Sequence, residues 1–492
     1  MKNKNILIGV MFGVLSLVSS CRNESSLSPE NETGITDASA FTTSTRIEGV
    51  LLSVYSAYKS GNVHGGRYVV YNDIRGVDVL KETDNLVTAA DVFSQNPTNS
   101  SSSITSFWTS SYYAINNANL FIDGMNAGGT SVVGEAKGKV YIAEVKALRA
   151  MLYYGLLQFF AKPYADGNGA NPGLPLRLTG IKGSGSSNLA RSTVAEVYTQ
   201  ILKDLNEAET DLPLANASAI LNTSRVHRNT VVAFKTRVYL SMQKYAEAVT
   251  EANKIVSNSA PFVAPSGVAN KLEANIATVF TNYTTTESIF SLPMSSTAGD
   301  FPGTQNQIAY YWTPVASLGG VGNGEYSVNP SGILANTTQF TVEDKRRAFI
   351  VSSNSGTKLW NMKFKTPNPY TDWVPVIRYS EVLLNLAEAK VRASNVVDSQ
   401  SLALLNAVHG RSDAGKVFVA GDFSTPSEFL LAIDNERRME FMGEGHRTRD
   451  VTRLLSAFPA HGTAPAKALG DVGYIWPIPS LELSLNTLCV DN

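Results

Sequence analysis

Two glutamates one helical turn apart, set among arginines, are the residues of this chain best placed to do chemistry. Residues 435–455 read N-E-R-R-M-E-F-M-G-E-G-H-R-T-R-D-V-T-R-L-L. Glu436 and Glu440 share a helical face with Phe429 and Ile433, so both carboxylates point toward a core. Paired carboxylates are what glycoside hydrolysis requires. Here, however, residues at i and i+4 project from one side of one helix and cannot flank a glycosidic bond. Arg437, Arg438, Arg447, Arg449 and Arg453 are available to pair with them, and such neighbours hold carboxylates ionised, leaving no proton donor. The expectation is therefore a structural ion-pair network of Glu436, Arg437, Arg438, Glu440, Glu444, Arg447, Asp450 and Arg453, with no catalytic residue.

Other chemical candidates are sparse. His64, His227, His409, His446 and His461 are scattered, without the i, i+4 spacing of a helical zinc site, so no metal is expected. No Walker-type phosphate loop appears, and Cys489 has no local activating motif. No cofactor is expected.

Cys21 carries chemistry of another kind. Lys2 and Lys4 precede an apolar stretch, Ile6 to Val18, too short to span a bilayer, followed by Leu17-Val18-Ser19-Ser20-Cys21. That ending resembles a bacterial lipobox, in which the cysteine becomes the first mature residue and its thiol takes a diacylglycerol. Each buried methylene contributes about 0.8 kcal/mol, so several acyl chains make a lasting anchor. Residues 1–20 then read as a lipoprotein signal peptide and 21–41, rich in Ser, Asn, Glu, Thr and Pro, as a lipidated flexible tether. Loss of Lys2 and Lys4 leaves 39 basic against 42 acidic residues, a balance that attracts no nucleic acid. With Cys21 acylated, Cys489 has no disulfide partner.

Helices must position whatever the body does. Ile104, Trp108, Tyr112, Ile115, Asn119 and Ile122 recur at helical spacing, as do Val140, Ala143, Ala147, Met151, Leu152, Leu156 and Phe159, and both segments read as amphipathic helices. Thr193 with Glu196 forms a capping box opening a helix that ends before Pro213. Thr425-Pro426-Ser427-Glu428 opens another, with proline where its missing N–H costs nothing. Across 229–257, Ala233, Tyr239, Leu240, Tyr245, Ala248, Ala252 and Ile255 are placed as in a tetratricopeptide-type helix pair. A second pair falls at 377–393 and 401–411. Such pairs bury their faces only by stacking, which predicts a curved helical scaffold. Helical periodicity disappears over 61–103 and 261–373, and loops of that length are usually functional.

The E-R-R-x-E-F-x-G-E-G-H-R-x-x-D-x-x-R pattern at 436–453 resembles the C-terminal signature of SusD/RagB outer-membrane lipoproteins. Glu144-Val145-Lys146-Ala147-Leu148-Arg149-Ala150-Met151-Leu152-Tyr153-Tyr154, then Arg378-Tyr379-Ser380-Glu381-Val382-Leu383-Leu384 with Ala387-Glu388-Ala389, and Trp476-Pro477-Ile478-Pro479 agree with it in order. Ser380 and Met442 depart from the family's usual residues without consequence for the fold. The resemblance implies a mainly α, SusD-like domain over 42–492, a tetratricopeptide-like scaffold with long ligand-binding loops. This overrides the division into two or three domains that a body of about 470 residues would otherwise suggest. It further implies a lipid-anchored outer-membrane protein facing the cell exterior, although Arg22-Asn23-Glu24 supplies only one acid to a surface-sorting signal. Such proteins bind oligomeric nutrients, most often glycans and in some branches peptides, and pass them to a SusC-like TonB-dependent transporter. They are not enzymes. A surface glycoside hydrolase built on helical repeats is the competing class.

A sugar ring offers an apolar face and a rim of hydroxyls, so its site needs exposed aromatic rings beside polar groups. Trp108 lies on a helical stripe, and Trp373 and Trp476 sit in family-like structural contexts, so these three are set aside. Tyr310, Tyr311 and Trp312 lie in a Gly, Thr and Asn-rich segment with no helical face to bury them, and at least one is expected to be exposed. Tyr71, Asn72, Arg75, Asp78, Gln95 and Asn96 supply groups from the other irregular stretch. In the resemblance, these two regions are where relatives place their ligand loops.

Overall fold

A computed structural model describes residues 39–492 apart from 184, 186, 187, 298, 302, 304, 354 and 355. Cys21, the signal segment and most of the tether fall outside the described residues. The helices that build the body and its site include α1 (Ser44–Tyr58), α2 (Arg67–Asp73), α3 (Ser102–Gly124), α4 (Glu135–Phe160), α5 (Val194–Asp211), α6 (Arg228–Ser241) and α7 (Tyr245–Ala252). They continue with α8 (Ile308–Trp312), α9 (Tyr379–Ser394), α10 (Ser399–Ser412), α11 (Pro426–Glu440), α12 (Arg447–Thr452) and α13 (Ser480–Leu485). Short strands are β1 (Val79–Lys81), β2 (Pro172–Pro175), β3 (Arg191–Thr193), β4 (Ser288–Leu292), β5 (Tyr326–Val328), β6 (Ile350–Ser352), β7 (Leu359–Asn361) and β8 (Val374–Arg378). The fold is mainly α. No described helix is long and apolar enough to cross a membrane.

The helix starts follow local chemistry. The Thr193 hydroxyl accepts from the Glu196 N–H and the Glu196 carboxylate accepts from the Thr193 N–H, closing the capping box of α5. Thr425 caps α11 with Pro426 in its first turn. The helices α6 and α7 pair tightly because Ala248 and Ala252 are buried, and Ala248 with Leu240 meets Ala389 of α9, joining the first helix pair to the second. In sequence, α4 packs on α5, α5 on α6, α6 and α7 on α9, and α9 on α10 and α11. Each helix thus covers the apolar face of the one before.

Helix α4 departs from the amphipathic expectation. Every residue from Ala147 to Phe160 is buried, because α3, α5, α1 and the C-terminal segment around Trp476 enclose it. The tether boundary moves as well. Phe41 packs on Phe121 with ring centroids 5.9 Å apart, and a Cβ on Gly124 would lie 2.2 Å from the Phe41 ring. The body therefore includes Phe41.

The stretches 61–103 and 261–373 hold short regular elements and meet one another. Strand β1 pairs antiparallel with β5, Val79 opposite Val328 and Lys81 opposite Tyr326, in a sheet ordered β1-β5-β7-β6. Glu325, 1% exposed, fastens the junction by accepting from the hydroxyls of Thr83 and Thr88. A separate pair, β4 with β8, leads directly into α9.

Candidate functional site

The Tyr-Tyr-Trp triplet is not a surface. It forms α8, a single helical turn enclosed by α2 and β5, with Tyr310 8%, Tyr311 0% and Trp312 1% exposed. The expectation of exposure fails because a short helix turned inward buries its rings on several sides: Tyr311 stacks on Tyr326, and Trp312 lies 6.0 Å from the same ring. The partners proposed from 61–103 are also interior. Tyr71 packs edge-on against Trp476, and Asn72 donates to the Tyr68 carbonyl at 2.8 Å. Arg75 donates to Gln95 and to the carbonyls of Gly473 and Tyr474, and its guanidinium sits 4.0 Å from the Phe458 ring. Asp78 is salt-bridged to Arg438 at 2.6 Å. Of that set only Asn96 is exposed. The two stretches do come together, but these side chains are their shared floor.

The carboxylates of α11 are buried and paired, with partners other than those expected. Glu436 contacts Arg346 at 2.5 Å and His409 at 2.7 Å, and Glu440 contacts Arg411 at 2.6 Å, Arg378 at 2.9 Å and Arg346 at 3.2 Å. Glu444 binds Arg378 at 2.7 Å and Lys363 at 2.8 Å. The nearby arginines face away: Arg437 takes Asp450, Arg447 takes Asp434, Arg449 takes Glu381, and Arg453 takes Glu388 and Asp450. Helical spacing puts Arg437 on another side of α11, and Arg453 follows the end of α12, so cations from distant elements fill the glutamate side. Burial pushes the Glu440 carboxyl up, but Arg411, Arg378 and Arg346 outweigh it and hold it well below the usual range. Glu436 is likewise held down by Arg346 and His409 against burial. Two fully enclosed carboxylates held ionised at neutral pH by their cationic partners cannot donate a proton to a glycosidic oxygen.

Partly exposed rings occur elsewhere in the second stretch. Trp373 and Tyr283 are both half-buried and stack nearly parallel, 5.2 Å apart with 4° between planes. Three residues before Trp373, Tyr370 meets Tyr310 edge to face at 6.0 Å. The turn between them is held by hydrogen bonds. Asp372 accepts from the Thr366 N–H and hydroxyl, both at 2.9 Å, and Gln307 donates to the Pro369 carbonyl at 3.1 Å. Around this arc stand the exposed amides of Asn282, Gln305, Asn323 and Asn368, with the Asn323 N–H bonded to the Tyr310 carbonyl at 2.9 Å. Burial, reinforced by Asp372, pushes the Tyr283 hydroxyl up to about 12, so the arc offers neutral hydroxyl and amide groups. Such a surface suits the face and rim of a sugar ring.

The sequence reading set Trp373 aside and overlooked Tyr283. A usable signal was present: locally, period two puts Trp373 with half-buried Pro375 and apart from buried Val374 and Val376. Among the described residues no group of three or more His, Cys, Asp or Glu side chains is arranged to hold a metal ion.

Residues 302–462 match the family described as SusD family, and residues 30–240 match one described as "Starch-binding associating with outer membrane". Among solved structures, a SusD superfamily protein from Bacteroides fragilis is 31% identical, covering 92% of this chain and 99% of its own, with a TM-score of 0.80. A putative sugar binding protein from Bacteroides vulgatus is 23% identical, with 92% and 99% covered and a TM-score of 0.77. A protein titled laminarin binding SusD-like protein is 22% identical, with 92% and 99% covered and a TM-score of 0.69. The last two likenesses are of fold. No curated protein matches the chain.

Proposed function

Because this chain belongs to the SusD family, we propose that it is a lipid-anchored protein of the outer membrane that binds oligosaccharides and delivers them to a TonB-dependent transporter. The half-exposed Tyr283–Trp373 stack carries the reading, because ring faces bordered by neutral amides fit a sugar better than a charged peptide. The description of one matching family as starch-binding, and a fold shared with a laminarin-binding protein, support the choice of glycans. The lipobox at Cys21 supports the anchor. The enclosed state of Glu436 and Glu440 supports binding without turnover.

The test is calorimetry of the mature protein against starch, laminarin and peptide oligomers. Trp373→Ala should weaken the cognate oligosaccharide about tenfold, in line with a stacking contact worth roughly 0.5 to 1.5 kcal/mol plus its buried area, with the fold intact. Binding of peptides alone, or release of reducing ends that Glu436→Gln abolishes in a folded protein, would overturn the glycan-capture reading.

A further inference from the structure

The strands next to Tyr283 and Trp373 do not by themselves bring the two rings together. Strands β4 and β8 run antiparallel, with Ser288 opposite Arg378 and Leu292 opposite Val374. Tyr283 precedes β4 and Trp373 precedes β8, so the two residues lead off opposite ends of the ladder. Those ends are about 13 Å apart at a rise of roughly 3.3 Å per residue. The segment 281–287 therefore folds back along the pair before its tyrosine meets the tryptophan, and a contact outside the ladder has to hold it there.

Asp372, 5% exposed and immediately before Trp373, is placed to make that contact. Its carboxylate is fixed to its own turn, accepting from the Lys365 N–H at 3.3 Å and from the Thr366 N–H and hydroxyl, both at 2.9 Å. A further bond crosses to the other segment, from the Tyr283 hydroxyl to Asp372 Oδ1 at 3.4 Å. Burial and then Asp372 push that hydroxyl up to about 12, against the Thr366 hydroxyl and the Trp373 N–H, so at neutral pH it stays protonated and donates. With its tip tied to Asp372, the Tyr283 ring lies flat against Trp373, 5.2 Å away at 4°. A ring free to turn outward would have to be ordered by the sugar, and affinity would fall by the cost of that ordering.

Resting on the glycan-capture reading above, we propose that Asp372 is a positioning residue of the oligosaccharide site: through the Tyr283 hydroxyl it latches the Tyr283 ring against Trp373 before a sugar arrives.

The test separates the latch from the ring. Tyr283→Phe keeps the ring face and removes only the hydroxyl, while Asp372→Asn keeps the shape and sets an amide NH2 against groups that donate. Calorimetry with starch and laminarin oligomers should show affinity about fivefold weaker in each variant, the effect of one hydrogen bond, with the melting temperature of Tyr283→Phe unchanged. A residue that merely supports the loop would lower affinity whatever stands at position 373, whereas a latch acting through the stack has nothing left to position in Trp373→Ala. Tyr283→Phe added to Trp373→Ala should therefore cost less than about twofold. Full affinity in Tyr283→Phe would overturn the latch, whether or not the Asp372 variant folds. So would an undiminished loss in the Trp373→Ala background. Both of those results leave glycan capture standing, whereas no binding of either oligomer by the unaltered protein would overturn that reading and this assignment together.

Discussion

Arg411 of α10 places Nη2 2.6 Å from both carboxylate oxygens of Glu440 on α11, although the two residues are 29 positions apart. Its Nη1 also reaches Glu287 at 2.9 Å, next to β4. One side chain, 5% exposed, therefore ties the second helix pair, α11 and the entry to β4 together around two enclosed carboxylates.

Removing Glu440 leaves Arg411 and Arg378 short of a partner inside the protein. Glu440→Ala should destabilise the fold by about 3 to 5 kcal/mol, several times the cost of breaking an exposed pair. Denaturant unfolding measures it. A loss under about 1 kcal/mol would mean that water reaches this cluster.

Trp312 should behave as core. Trp312→Ala is expected to cost about 3 to 5 kcal/mol through the cavity left against Tyr326. At a temperature where the variant remains folded, its oligosaccharide affinity should equal that of the unaltered protein. Calorimetry showing weaker binding in the folded variant would return α8 to the ligand surface.

Acidification should destabilise the protein. Burial lowers His64 to about 3 and His227 to about 4, and burial with Arg449 holds His446 well below the usual range. A histidine with a folded pKa below its unfolded value of about 6.5 contributes stability that is complete above pH 6.5 and lost as the pH falls toward the folded value. At pH 5 each loses up to about 2 kcal/mol. Asp73 acts in the opposite sense: burial outweighs the N–H groups of Gly445, Arg447 and His446 and raises it to about 6. Its cost, present above pH 6, recedes as the pH falls, by about 1 kcal/mol between pH 7 and pH 5. Scanning calorimetry should show a lower melting temperature at pH 5 than at pH 7, and a steeper fall in Asp73→Asn. A flat profile from pH 7 to pH 5 would contradict neutral burial of these rings.

On the proposed lipid anchor, Cys21→Ala should abolish lipid labelling and release the protein from the outer membrane. Cell fractionation decides this. A membrane-bound, lipid-labelled alanine variant would place the anchor at another residue.

Local chemistry alone determined the helical frame. Thr193 with Glu196 and Thr425 with Pro426 start helices because their caps satisfy backbone N–H groups within a few residues, and Ala248 and Ala252 mark close helix approach by their size. The 436–453 pattern likewise carried the family. What lies opposite a side chain was decided only by tertiary structure. Glu440 chose Arg411 and Arg378 over the adjacent Arg437, and Tyr311 turned inward to Tyr326 in a segment whose composition reads as surface. The same holds for Trp373, whose stack on Tyr283 spans 90 positions and is joined by a bond from the Tyr283 hydroxyl to Asp372 at 3.4 Å. Capping and periodicity act over a few residues and are written in sequence, whereas partner choice and exposure depend on contacts between segments far apart in the chain, which close only when the fold is complete.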